Sequence, residues 1–171
     1  MRVAFVPPEL PRLDKVKSDA MALCLHEEDW PLRGTPGLVD WRVCGHISRL
    51  REAGWITCAA GELVLMPLAP KLPFERLLLV GMGSVGESSI EERIIAGLHQ
   101  MFQALEKMRV HATVLHLPGR PERLPADQAM RYLLDVAERH PNHDEVVVVE
   151  STDAQRTMER VVESRPGTGA E

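Results

Sequence analysis

The chain has 171 residues, with 25 acidic against 20 basic and a formal net charge of −5. One domain of this size buries about 70% of its unfolded surface, so a core needs no covalent staples. The dispersed Lys and Arg and the 4% aromatic content argue against a nucleic-acid partner, and three cysteines with no CxxC pair argue against a disulfide framework or a cysteine zinc site.

Arg2–Val6 reads as a strand, and residues 7–17, with three prolines, read as a loop. Ala20–Leu25 is a second strand, ended by the acidic run His26-Glu27-Glu28-Asp29 and the Pro- and Gly-rich LRGTPG. From Leu38 the apolar positions Leu38, Trp41, Cys44, Ile47 and Leu50 recur and predict one helix stopped by Gly54, with Trp41 in the core. Residues 62–68 and 76–82 are the next strands, joined by a proline-rich connection.

Ser88 and Ser89 each precede a glutamate by three residues, and Ile90, Ile94, Leu98, Met101, Phe102, Leu105 and Met108 form the stripe of a long helix. A strand over 112–117, a helix over 125–139, a strand over Glu145–Val149 and a last helix capped by Thr152 complete the chain. Residues 1–163 thus form one domain, and 164–171, without core-forming residues, are expected to be a disordered tail. Alternating strands and helices predict a three-layer α/β fold with a mixed, largely parallel sheet.

Few residues carry chemistry. Gly81-Met82-Gly83-Ser84-Val85-Gly86 matches GxGxxG between an apolar strand and a capped helix, a setting in which backbone N–H groups hold phosphate. Gly81, Gly83, Ser84 and Gly86 are therefore candidates for a nucleotide-like or ADP-ribose-like ligand. The next strand, ending at His116-Leu117, offers no acid for a ribose hydroxyl. His140-Pro141-Asn142-His143-Asp144 has no distant metal-binding partner and reads as a turn. Cys24, Cys44 and Cys58 sit among apolar neighbours and read as reduced, buried thiols. Trp30 and Trp55 fall in loops, where an aromatic is either tucked under the loop or offered to a partner.

From residue 18 to 86 the order DAMALCLHEED, GLVDWRVCGHISRLREAGWITCAAGELVLMPL and LPFERLLLVGMG resembles the amino-terminal domain of the leucyl aminopeptidase family, with Ala60-Gly61-Glu62 in place of its GxAGE turn and Val80-Gly81-Met82-Gly83 in place of its VGLG strand end. The resemblance implies a macro-domain-like fold. It also supplies a second reading of Gly81 and Gly83, as a tight strand exit that needs no ligand. Thr152-Asp153-Ala154 lacks the flanking residues of the family's metal-binding motif, and the sequence is expected to end before the catalytic domain. No Asn-Ala-Ala-Asn-like loop of ADP-ribose binders is present.

The resulting expectation is a non-catalytic, cytoplasmic regulatory or assembly domain, without metal or cofactor, that binds protein or self-associates as the family's amino-terminal domain does. The start MRVAFVPPEL is too short for a signal-peptide core and no membrane partner is expected. The alternative is a small-ligand module using the 81–86 loop.

Overall fold

The computed structural model describes residues 1–86, 89–120 and 123–165. Six strands, β1 (Arg2–Val6), β2 (Ala20–Leu25), β3 (Leu63–Pro67), β4 (Arg76–Gly81), β5 (Ala112–His116) and β6 (Glu145–Val149), form one sheet in the order β1-β6-β5-β2-β4-β3. All neighbours are parallel except β3, which runs antiparallel to β4 at one edge.

The continuous apolar runs are explained by burial on both faces, since a parallel sheet is covered above and below. All six residues of β2 are buried, and alternate ones serve opposite cores. Ala20, Ala22 and Cys24 pack with α4 (Ile90–Lys107), α5 (Ala126–Ala137) and α6 (Thr152–Glu163). Met21, Leu23 and Leu25 face α1 (Leu10–Leu13), α2 (Gly34–Arg42) and α3 (His46–Glu52) through Leu13, Val39 and Ile47. In α4 the stripe Ile94, Leu98, Met101, Phe102 and Leu105 is buried, and Ser89 caps the helix by accepting from Glu92 N at 3.4 Å. Ser88, the other cap candidate, lies outside the described residues.

Three local expectations are corrected. The helix expected beyond Leu38 is two helices, broken where Cys44 and Gly45 both take positive φ, 59° and 73°. A helix turns about 100° per residue, so a repeat of three drifts off any one face. Trp41 accordingly points outward and is 69% exposed, and Cys44 is exposed as well. Asp40 stabilises the break: its Oδ1 accepts from Ile47 N at 2.8 Å and Ser48 N at 3.2 Å, and so caps α3. Residues 10–13 form α1 inside the expected loop, because Pro11 suits a first helical turn and Leu13 gains full burial. Finally, Ser151 rather than Thr152 caps α6, its hydroxyl accepting from Ala154 N at 3.4 Å. Of the expected tail, Ser164 caps α6 and Arg165 pairs with Glu138 at 2.8 Å and with Asp135; residues 166–171 lie outside the described residues.

Candidate functional site

Five parallel strands direct their carboxyl ends to one edge of the sheet, where the loops that follow them leave a crevice. The loops after β1, β2, β5 and β6 enclose a cleft of about 510 Å³, within the range of small-molecule sites. Pro8, Trp30 and Pro31 give it flat apolar walls, and Arg33, Gly34 and Thr35 bring the start of α2 to it. Among the described residues no side chain caps α2, so the N–H groups of Gly34 and Thr35 remain available as anion donors.

The charges of the cleft are mostly paired. Arg120, from the β5–α5 loop, grips Glu150 at the end of β6 with Nε–Oε1 2.7 Å and Nη2–Oε2 3.3 Å, their side chains only 10% and 7% exposed. Ser151 N also donates to Glu150 Oε2 at 3.2 Å. Arg123 donates to Asp29 Oδ1 at 2.7 Å, while Asp29 Oδ2 accepts from His26 N at 2.8 Å. The Arg33 side chain makes no hydrogen bond or ion pair among the described residues, which leaves its cation beside the open helix end; its carbonyl accepts from Gly37 N at 3.2 Å inside α2. Trp30 is half-buried, and the Arg51 guanidinium stands 5.6 Å from its ring centroid.

The 81–86 loop borders this cleft but is not among its lining residues. Gly81 is forced by close approach: a Cβ there would stand 2.9 Å from the Cys58 carbonyl carbon. Gly83 has φ +70° and lies against Ala60, whereas Gly86 has open space around it. Packing on the Cys58-Ala59-Ala60 turn thus accounts for the first two glycines. The loop's donors are engaged too, since Ser84 Oγ donates to Glu28 and Val85 N donates to Glu28 Oε1 at 3.0 Å. The structure therefore brings Ser84 next to the acidic exit of β2, and it places Trp55, 75% exposed, outside the cleft.

The remaining candidates lie elsewhere. His140 is buried at the opposite, amino-terminal edge, its Nδ1 3.1 Å from Glu106 Oε1 and its Nε2 3.1 Å from His99 Nδ1, with its ring stacked on Phe102. His143 Nδ1 donates to Val110 O at 3.1 Å, and burial holds its pKa below the usual histidine value. Among the described residues, no group of three or more His, Cys, Asp or Glu is placed to hold a metal ion, and no helix is long and apolar enough to cross a membrane. Burial pushes the Cys24 thiol up to about 12 and the Cys58 thiol to about 11, as befits inert core cysteines.

Residues 27–137 match the N-terminal domain of the cytosol aminopeptidase family. The chain belongs to that family. The matched segment is the family's N-terminal domain and holds α2, α3 and the two loops that supply most of the cleft. No curated protein matches the sequence. Among solved structures, this aminopeptidase-family chain is similar to a tomato leucine aminopeptidase mutant at 11% identity and TM-score 0.65, over 94% of this chain and 35% of that one. It thus spans about a third of the plant protein. It is also similar to the macrodomain of Mycobacterium tuberculosis DarG (12% identity, TM-score 0.67, 87% of this chain and 98% of that one). A Trypanosoma brucei macrodomain, solved in complex with ADP, matches at 20% identity and TM-score 0.71, over 94% of this chain and 69% of that one. The TM-scores establish a shared macrodomain fold.

Sequence reasoning named Trp30 but missed Arg33, Thr35, Arg120, Arg123 and Glu150. They come from three separate loops, after β2, β5 and β6, and only the rule that parallel sheets bind at their carboxyl edge pointed to them.

Proposed function

We propose that the domain binds a phosphate-bearing nucleotide of the ADP-ribose class in the cleft at the carboxyl ends of β2, β5 and β6. The observation that carries this reading is the start of α2, uncapped among the described residues, beside an Arg33 side chain with no partner among those residues, set in a cleft with apolar walls of Trp30, Pro8 and Pro31. A helix amino terminus and one cation suit a phosphate, and flat apolar surfaces suit a base or sugar. Trypanosoma brucei macrodomains of the same fold have been solved with ADP and with ADP-ribose, which supports that ligand class here. Within this reading the role is recognition: Arg120 and Arg123 stiffen the loops through their own acids, and Arg33 with α2 meets the anion.

Calorimetric titration of ADP-ribose into wild type and Arg33→Glu tests the proposal. Arg33 is exposed, so removing its charge alone is worth at most a few-fold, while reversal adds repulsion and should weaken binding about tenfold. No heat of binding in the wild type, or equal affinity in R33E, refutes it.

A second reading, self-association or protein binding, is favoured by a different observation. Trp41, Trp55, Leu63 and Leu65 are large apolar side chains left exposed, and tryptophan is enriched at interface hot spots. Light scattering of wild type and Trp55→Ala tests it, a mass above one chain in wild type that falls in the variant being the expected result. A wild-type mass of one chain over the accessible concentration range would rule out self-association.

A further inference from the structure

We propose that Glu28 is a resident anion on the 81–86 loop: its carboxylate fills a two-donor anion cradle at Ser84 and Val85, and so leaves Arg33 and the start of α2 as the cleft's working anion contacts. The inference deepens the ligand-binding reading and rests on it only for that consequence.

β2 lies between β5 and β4, so its exit can reach loops on either side. Asp29 turns to the β5 side and takes Arg123. Glu28 turns to the β4 side, where the Ser84 hydroxyl and the Val85 N–H converge on one oxygen, Oε1. Two donors meeting on one carboxylate oxygen make the arrangement by which a loop holds a phosphate or carboxylate oxygen. Arg93 Nη2, donating to Val85 O at 2.5 Å, fastens the next peptide of the loop. Glu28 is exposed, so core packing does not put its carboxylate there. The Ser84 hydrogen bond is the main cause holding the Glu28 carboxyl below its ordinary pKa. A tethered carboxylate competes at an effective concentration of roughly millimolar or more, so a free anion must displace it to reach the loop.

The test uses the isotopically labelled full chain and inorganic phosphate as probe at constant ionic strength, read at the Val85 amide. In Glu28→Ala that amide should shift saturably, with an apparent affinity for phosphate at least tenfold above wild type. Adding Ser84→Ala should abolish the gain. Glu28→Gln keeps an oxygen that accepts both donors but loses the charge, so it should fall between the two. A silent Val85 amide in folded E28A, or a wild type that responds as strongly, overturns the proposal. Should E28A fail to fold, an E28Q response equal to wild type does the same. ADP-ribose added to wild type and read at the Arg33 and Thr35 amides tests the cleft reading separately. Either one can fail while the other stands.

Discussion

Alanine at Gly81 probes why the glycine loop is built as it is. The added Cβ would stand 2.9 Å from the carbonyl carbon of Cys58 and 3.0 Å from its oxygen, and nearer still to Ala59 O. All these atoms are backbone, so no rotamer change relieves the clash. Residue 81 also ends β4, with its N–H donated to Glu62 O at 2.8 Å and its register against Leu25, so movement disturbs both neighbouring strands. Overpacking of this kind costs about 1–3 kcal/mol, and a rigid site belongs near the upper end. Gly86→Ala meets no atom of the described residues within 4 Å and should change stability by less than about 0.5 kcal/mol. At roughly 2–4 °C per kcal/mol for a chain of this size, Gly81→Ala should lower Tm by roughly 5–10 °C and Gly86→Ala by under about 2 °C. Thermal denaturation by circular dichroism measures both. Equal losses, or a neutral Gly81→Ala, would show that packing on the Cys58–Ala60 turn is not what demands glycine.

Other consequences can be checked in solution. Glu150→Ala leaves buried Arg120 without its bidentate partner and should destabilise by about 3 kcal/mol in urea unfolding; a loss below about 1 kcal/mol would mean the pair is solvated. Burial lowers the pKa of His143, and burial followed by the neighbouring His140 lowers that of His99. The unfolded chain then binds more protons as pH falls through about 6.5, so stability should drop between pH 7.5 and 5.5; His99→Ala should flatten part of that slope, and a flat wild-type profile would contradict the assignment. A thiol reagent at pH 8 should titrate Cys44 alone in the native chain and all three cysteines after denaturation, because Cys24 and Cys58 are buried and held protonated. Rapid labelling of a second native thiol would place one of them at the surface.

The layers of this fold were legible where a strand is covered on both faces. Ala20–Leu25 and Val146–Val149 are continuous apolar runs, and the structure forms strands over them, the second starting one residue earlier at Glu145. The stripe of α4 was legible for the matching reason that its period fits one helix face. The break between α2 and α3 was hidden, because it depends on a left-handed Cys44 and on the capping carboxylate of Asp40, which no apolar period reports. The site was less legible still. GxGxxG drew attention to one loop whose first two glycines answer to packing, while the cleft is assembled from Pro8, Arg33, Arg120 and Glu150, far apart in sequence and joined only by the parallel sheet. The acidic run after β2 read only as the end of a strand; in the structure two of its carboxylates fasten the loops on either side.

The central claim is that the carboxyl edge of the sheet is a ligand site, and an amide-resolved titration of the full chain with ADP-ribose meets it most directly. Saturable shifts confined to residues 28–36, 116–120, 123 and 149–151 are the predicted result. Shifts absent at saturating ligand, or centred on the His99–His140 edge, would contradict it.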